Sequence, residues 1–158
     1  MANIVLSRVD SRLIHGQVIT KWIKQYPAKR IMIIDDELAK DSFMAEIYMM
    51  AAPTGIKVEI VSVESAGKKL QETDENVFIL YKTIGTCFQA YKAGVPVDRV
   101  IVGGVPSAPG KKFLLSGVYL GEDEIIKLKE MDQAGIEIIA RVTPEEQELS
   151  FPKMMKKL

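Results

Sequence analysis

Ile4-Val5-Leu6-Ser7-Arg8-Val9-Asp10-Ser11-Arg12-Leu13-Ile14-His15-Gly16-Gln17-Val18 begins as an apolar run and ends in a helical pattern. Ile4 to Leu6 has the character of a buried strand. From about Gln17 to Gln25 the chain places Val18, Ile19, Trp22 and Ile23 on one stripe, and Pro27 stops it. A strand passing through a short loop into a helix is the first half of a βα unit. The same alternation recurs with strands expected at Arg30–Ile34, Lys57–Val61, Val77–Tyr81, Val100–Val102 and Ile136–Val142, and helix-period segments between them. It predicts an α/β fold of three layers (αβα), a mainly parallel sheet of six to seven strands with helices on both faces. Within it, one helix is expected over Leu38 to Ala52, burying Met44, Ile47, Tyr48 and Ala51. Phe113 to Leu120 is a further strand or bend, with Leu115 and Val118 or Leu114 and Tyr119 inward. Gly103 to Gly110 is a long exposed loop.

The loop inside the opening stretch carries the chemistry. If the chain is still extended there, Arg8, Asp10 and Arg12 share one face, because side chains in a strand repeat every second residue. His15, the only histidine of the chain, follows three residues later. A neutral imidazole is a good nucleophile near neutral pH, and arginines supply bidentate, permanently charged donors to a phosphoryl group. Gly16 lets the backbone come close, and a helix opening at Gln17 points free N–H groups and a dipole at an anion. These residue types suit a histidine that takes and gives a phosphoryl group. The competing reading of the same residues is a structural histidine beside a surface ion-pair cluster.

In open parallel sheets, ligands sit beyond the carboxyl ends of the strands. That rule adds Asp35-Asp36, Lys82 and the Gly103-Gly104 pair as possible walls of the site, although helix capping is the favoured role for the two aspartates. A nucleotide-binding module is the runner-up, since Gly16 and Asp35 match the spacing of a Rossmann turn and its ribose-binding acid. No G-x-G-x-x-G occurs, however, and Gly104 to Lys111 is only a near miss of a phosphate loop. A non-catalytic regulatory module is a third class. With one histidine and one cysteine, the chain lacks ligand sets for catalytic zinc, and no serine elbow is present.

The 158 residues, 47% of them hydrophobic, predict a single domain spanning residues 1–158, with 151–158 as a frayed tail. Lys plus Arg and Asp plus Glu number 21 each, so no overall field favours nucleic acid or an anionic membrane. One cysteine makes no internal disulfide. The start Met1-Ala2-Asn3 lacks the features of a signal peptide and no apolar run reaches the length of a span, so a cytoplasmic protein is expected, acting at a membrane only by docking.

The order Arg8-Val9-Asp10-Ser11-Arg12-Leu13-Ile14-His15-Gly16-Gln17-Val18 resembles the phosphorylation-site loop of the IIB components in the mannose/fructose/sorbose family of the bacterial phosphoenolpyruvate-dependent sugar phosphotransferase system. The resemblance continues through Asp35-Asp36, Ala51-Ala52-Pro53-Thr54-Gly55-Ile56-Lys57-Val58, Val102-Gly103-Gly104 and Gly121-Glu122-Asp123-Glu124, to about Pro152. It departs at Ile101, where many relatives carry asparagine. The resemblance implies a transferase component in which His15, through Nδ1, accepts a phosphoryl group from the phosphohistidine of a IIA protein or domain. The group then passes to a sugar held by the IIC and IID membrane subunits. Arg8 and Arg12 would contact the phosphate or the partner, Asp10 would hold the loop, and Gly16 and Gln17 would face the phosphate. No cofactor and no metal is implied, and a homodimer is compatible with the family. The docking face is expected to be apolar at Leu13 and Ile14 and cationic at Arg8 and Arg12, drawing an acidic rim on IIA.

Overall fold

The computed structural model describes residues 1–158. Strands and helices alternate as β1 (Asn3–Val9), α1 (Gly16–Gln25), β2 (Arg30–Ile34), α2 (Asp36–Lys40), α3 (Ser42–Met50), β3 (Lys57–Val61), α4 (Val63–Gln71), β4 (Asn76–Tyr81), α5 (Ile84–Lys92) and β5 (Arg99–Val102). They are followed by β6 (Lys112–Leu115), β7 (Val118–Leu120), α6 (Glu122–Gln133), β8 (Glu137–Ala140), β9 (Leu149–Ser150) and α7 (Phe151–Lys157). The main sheet has seven strands in the order β3-β2-β4-β1-β5-β8-β9. All its pairings are parallel except that of β8 with β9.

The central strands are apolar on both sides because both faces are covered. Along β2, Ile31 and Ile33 enter one cluster of 14 buried residues, which also holds Ile19, Trp22 and Leu38. Met32 and Ile34 point the other way, into a cluster of 27 buried residues shared with α4, α5, α6 and α7. Successive side chains of a strand alternate faces, so each core strand feeds both layers. The expected three-layer αβα architecture is the one observed.

Four local expectations are corrected. The single helix over Leu38 to Ala52 is two, because the Asp41 carboxylate accepts the Met44 N–H at 3.1 Å and starts α3 afresh. On α3, Met44 and Tyr48 are only half-buried, Ala51 is exposed and Ile47 is 43% exposed. This helix packs against β3, the terminal strand of the sheet, where less core is available to cover it. Phe113 to Leu120 forms a separate two-stranded hairpin turning at Ser116-Gly117, with Leu114, Val118 and Leu120 fully buried. An irregularity in register between Phe113 and Leu115 mixes the two burial alternatives.

The tail does not fray. Leu149-Ser150 pairs with β8, and α7 buries Phe151 and Met154, one helical turn apart, in the larger cluster. Pro152 stands in the first turn, where a missing N–H costs nothing, and Lys156 and Lys157 stand at the negative end of the helix dipole.

Candidate functional site

β1 is central, with Val9 paired to Tyr81 of β4 on one side and Val102 of β5 on the other. Extended backbone ends at Val9, so Arg8, Asp10 and Arg12 do not share a strand face as the simple period suggested. They meet by a turn instead. The Leu13 N–H closes back on the Asp10 carbonyl at 3.0 Å, and the Ser11 N–H is held by the Gly104 carbonyl at 2.8 Å. Leu13 takes φ +54°, a left-handed backbone that costs a non-glycine residue about 1–3 kcal/mol. Its side chain is buried, which helps to hold that conformation.

The Asp10 carboxylate sits between two arginines. Its Oδ1 accepts from the Arg12 backbone N–H at 3.0 Å and from Arg12 Nε at 3.1 Å, and its Oδ2 from Arg12 Nη2 and Arg8 Nη2, both at 2.9 Å. Burial alone would push the Asp10 carboxyl up, yet the Arg12 hydrogen bonds and the two guanidinium charges hold it below its ordinary value.

Arg8 corrects the expectation of an exposed phosphate contact. It is 1% exposed, donates to the Arg141 carbonyl at 2.8 Å and the Val142 carbonyl at 2.7 Å, and lies 4.5 Å over the Trp22 ring. Burial lowers it to about 10, still far above neutral, so it stays charged and its donors are spent inside the protein. Leu13 and Ile14, expected on the docking face, are buried as well. Of the expected cationic and apolar patch, only Arg12 reaches solvent, its side chain 38% exposed.

His15 follows as the N-cap of α1 in an extended conformation, φ −140° and ψ 111°. It is exposed, and its imidazole makes no capping hydrogen bond. No acidic residue lies in the first turn of this ten-residue helix, so nothing within that turn offsets the positive end of its dipole at Gly16 and Gln17. Gly16, at φ +48°, makes the left-handed step that a side chain would resist.

A cleft of about 480 Å³ opens beside Arg12, lined by Ser11, Gly104, Pro106, Gly117 and Glu146 among others. Val142 and Glu146 line it from the segment that follows the carboxyl end of β8. Sequence reasoning missed this segment because it ran the last strand to Val142, whereas β8 ends at Ala140. Trp22, on the apolar stripe of α1, does more than fill the core, since its indole N–H donates at 3.2 Å to the same Val142 carbonyl that Arg8 holds.

The structure does not bring Asp35 and Lys82 into this group. They line a different cleft of about 420 Å³ with Asp36, Glu37, Thr83 and Thr86. Asp35 caps α2 by accepting the Leu38 N–H at 3.0 Å, and Asp36 accepts the Val63 N–H at 2.8 Å, so capping and turn chemistry occupy both. A carboxylate buried in this way is not presented to a ribose. Ile101 is fully buried in the smaller cluster beneath α1, so the departure from asparagine falls in the core rather than on the site surface. No three His, Cys, Asp or Glu side chains converge as a metal-ligand set, and no helix is long and apolar enough to cross a membrane.

Residues 4–158 match the family described as the sorbose subfamily IIB component of the phosphotransferase system. The sorbose-specific EIIB component of Klebsiella pneumoniae is 37% identical over 88% of this chain and 87% of its own length. Among solved structures, manxB from Thermoanaerobacter tengcongensis superposes with a TM-score of 0.94 at 39% identity, covering 99% of this chain and 97% of that one. The IIBSor domain of the Klebsiella pneumoniae sorbose permease gives 0.91 at 34% identity, covering 98% and 96%.

Proposed function

The chain belongs to the sorbose subfamily of phosphotransferase-system IIB components, and from that premise we propose that His15 is the residue that carries its phosphoryl group. A phosphocarrier role in sugar phosphotransfer is the role of this family. The observation that carries the assignment to His15 is its position. His15 stands at the N-cap of a helix with no acid in its first turn, its exposed imidazole makes no capping hydrogen bond, and the partly exposed Arg12 lies three residues before it in the chain.

In the first step an imidazole nitrogen of His15 attacks the phosphorus of a phosphohistidine on a IIA protein or domain. A new P–N bond forms as the donor's P–N bond breaks, and the donor imidazole leaves with the electron pair. In the second step a sugar hydroxyl, held by IIC and IID membrane subunits, attacks the same phosphorus. The O–P bond forms, the hydroxyl proton is lost, and His15 departs as neutral imidazole. Positioning and charge stabilisation dominate such transfers. Arg12 supplies charge-assisted donors at the loop, and the Gly16 and Gln17 N–H groups supply the helix-end field. Asp10 fixes the direction of Arg12. Arg8 holds the loop from below rather than touching the phosphate. The transferred group arrives already activated, so this subunit needs no cofactor. Its work is cytoplasmic, at the inner face of the transporter.

Intact-mass measurement after incubation with phosphoenolpyruvate, the general phosphotransfer proteins and an active IIA tests the assignment. One acid-labile phosphate on wild type and none on His15→Ala is the expected result. Wild type that takes no phosphate from a IIA proven active overturns it.

A further inference from the structure

We infer that Gly103 and Gly104 are positioning residues for phosphoryl transfer at His15, acting on Arg12 through Arg8 and Asp10; the inference rests on the phosphocarrier reading of His15. The pair continues β5 alongside the start of the loop. The Gly103 N–H donates to the Val9 carbonyl at 2.7 Å and the Gly104 carbonyl accepts the Ser11 N–H at 2.8 Å.

Neither glycine has a left-handed backbone, so conformational freedom does not explain the residue type. Space does. A Cβ on Gly103 would lie 2.6 Å from Arg8 Cζ and 2.8 Å from Arg8 Nη1. One on Gly104 would lie 2.7 Å from Asp10 Oδ1 and 3.3 Å from Arg12 Nε. Of the 11 glycines these two alone would place a Cβ under 3.0 Å from a neighbour, whereas Gly16, Gly55, Gly94, Gly110, Gly117 and Gly135 combine positive φ with open space.

The neighbours that would be struck have little freedom to retreat. Arg8 is fastened to the Arg141 and Val142 carbonyls and lies over the Trp22 ring. Asp10 Oδ1 is the oxygen that accepts both the Arg12 backbone N–H and Arg12 Nε. Pressure on Gly103 therefore reaches Asp10 through the Arg8 ion pair, and pressure on Gly104 reaches it directly. In both cases the fork of Arg12 turns away from the direction that Asp10 gives it. A misplacement of about 1 Å at a reacting centre can cost roughly 100-fold in rate.

The test is kcat and KM for transfer from phospho-IIA, measured on Gly103→Ala and Gly104→Ala in the wild-type and Arg12→Ala backgrounds, with thermal melting to establish folding. The expected result is kcat lower by roughly 100-fold at nearly constant KM for the folded glycine variants. In the Arg12→Ala background the same substitutions should slow transfer no further, because their target is already gone. Wild-type kcat in both variants, or a loss that multiplies onto Arg12→Ala, overturns the inference. So does failure of both variants to fold, which would make the glycines residues of the fold alone. Wild-type protein that accepts no phosphate would instead remove the His15 reading on which the inference stands.

Discussion

Two groups of charged side chains lie along the carboxyl edge of one sheet, and they are built in opposite ways. At the end of β1, Arg8 and Asp10 are 1% and 3% exposed and interlock with Arg12 through hydrogen bonds of 2.9–3.1 Å. At the ends of β2 and β4, Asp35, Asp36 and Lys82 line a second cleft among polar residues, and each aspartate is tied to a backbone N–H. In the first group the charges determine each other's direction over a buried base. In the second they finish helices and turns. Residue type and strand-end position are shared, so neither distinguishes a site from a set of caps. What distinguishes them is whether the charged groups lock one another over a buried base next to an exposed side chain, here His15, that makes no capping bond.

The largest effect that separates the two groups is on stability. Arg8→Ala strips a buried carboxylate of one partner, removes the guanidinium donor to the Arg141 carbonyl and leaves the Val142 carbonyl with only the Trp22 indole N–H. It should cost about 3–5 kcal/mol, read from the urea midpoint at unchanged slope. A loss under about 1 kcal/mol, the range of exposed pairs, would erase the contrast.

Next comes Arg12→Ala. Transfer from phospho-IIA should slow by about 100- to 1,000-fold, as when one donor to a developing charge is removed. Stability should fall by only about 1–2 kcal/mol, because Asp10 keeps Arg8. Equal losses in folding and transfer would reassign Arg12 to structure.

A smaller effect is the acid dependence. The Asp10 carboxyl is held below its ordinary 3.8 in the folded protein. Its contribution to stability is therefore complete above that value and is lost as pH falls through the lower folded value. Urea midpoints of wild type and Asp10→Asn should differ at pH 5 and converge below about 3.8. A constant gap down to the acid limit would break this account.

The smallest effects belong to the other cleft. Asp35→Ala should cost about 1 kcal/mol as a lost cap, and Lys82→Ala should stay within about 0.5 kcal/mol of wild type. Neither should alter the transfer rate. A tenfold slowing by Lys82→Ala would join the two clefts into one site.

Much of this was legible locally. The strands of the sheet appear as short apolar runs, α1 as a stripe ending before Pro27, and the Arg8, Asp10, Arg12 and His15 set as neighbours within one βα turn. Those features depend on residues a few positions apart, where side-chain period and turn chemistry act directly. The break at Asp41 and the helix of the tail were legible by the same rules, as an N-cap ahead of Met44 and as Phe151 and Met154 one turn apart.

The direction of Arg8 was not. Whether that guanidinium faces a ligand or the interior depends on carbonyls 133 and 134 residues further along the chain, and on a tryptophan ring delivered by α1. The sequence by itself determined which elements form and which charged residues meet at the end of β1. Only the tertiary structure decided which of those charges are spent in the core and which stay available. A buried charge is tolerated only where distant partners have been folded against it, and no local pattern records where they will come from.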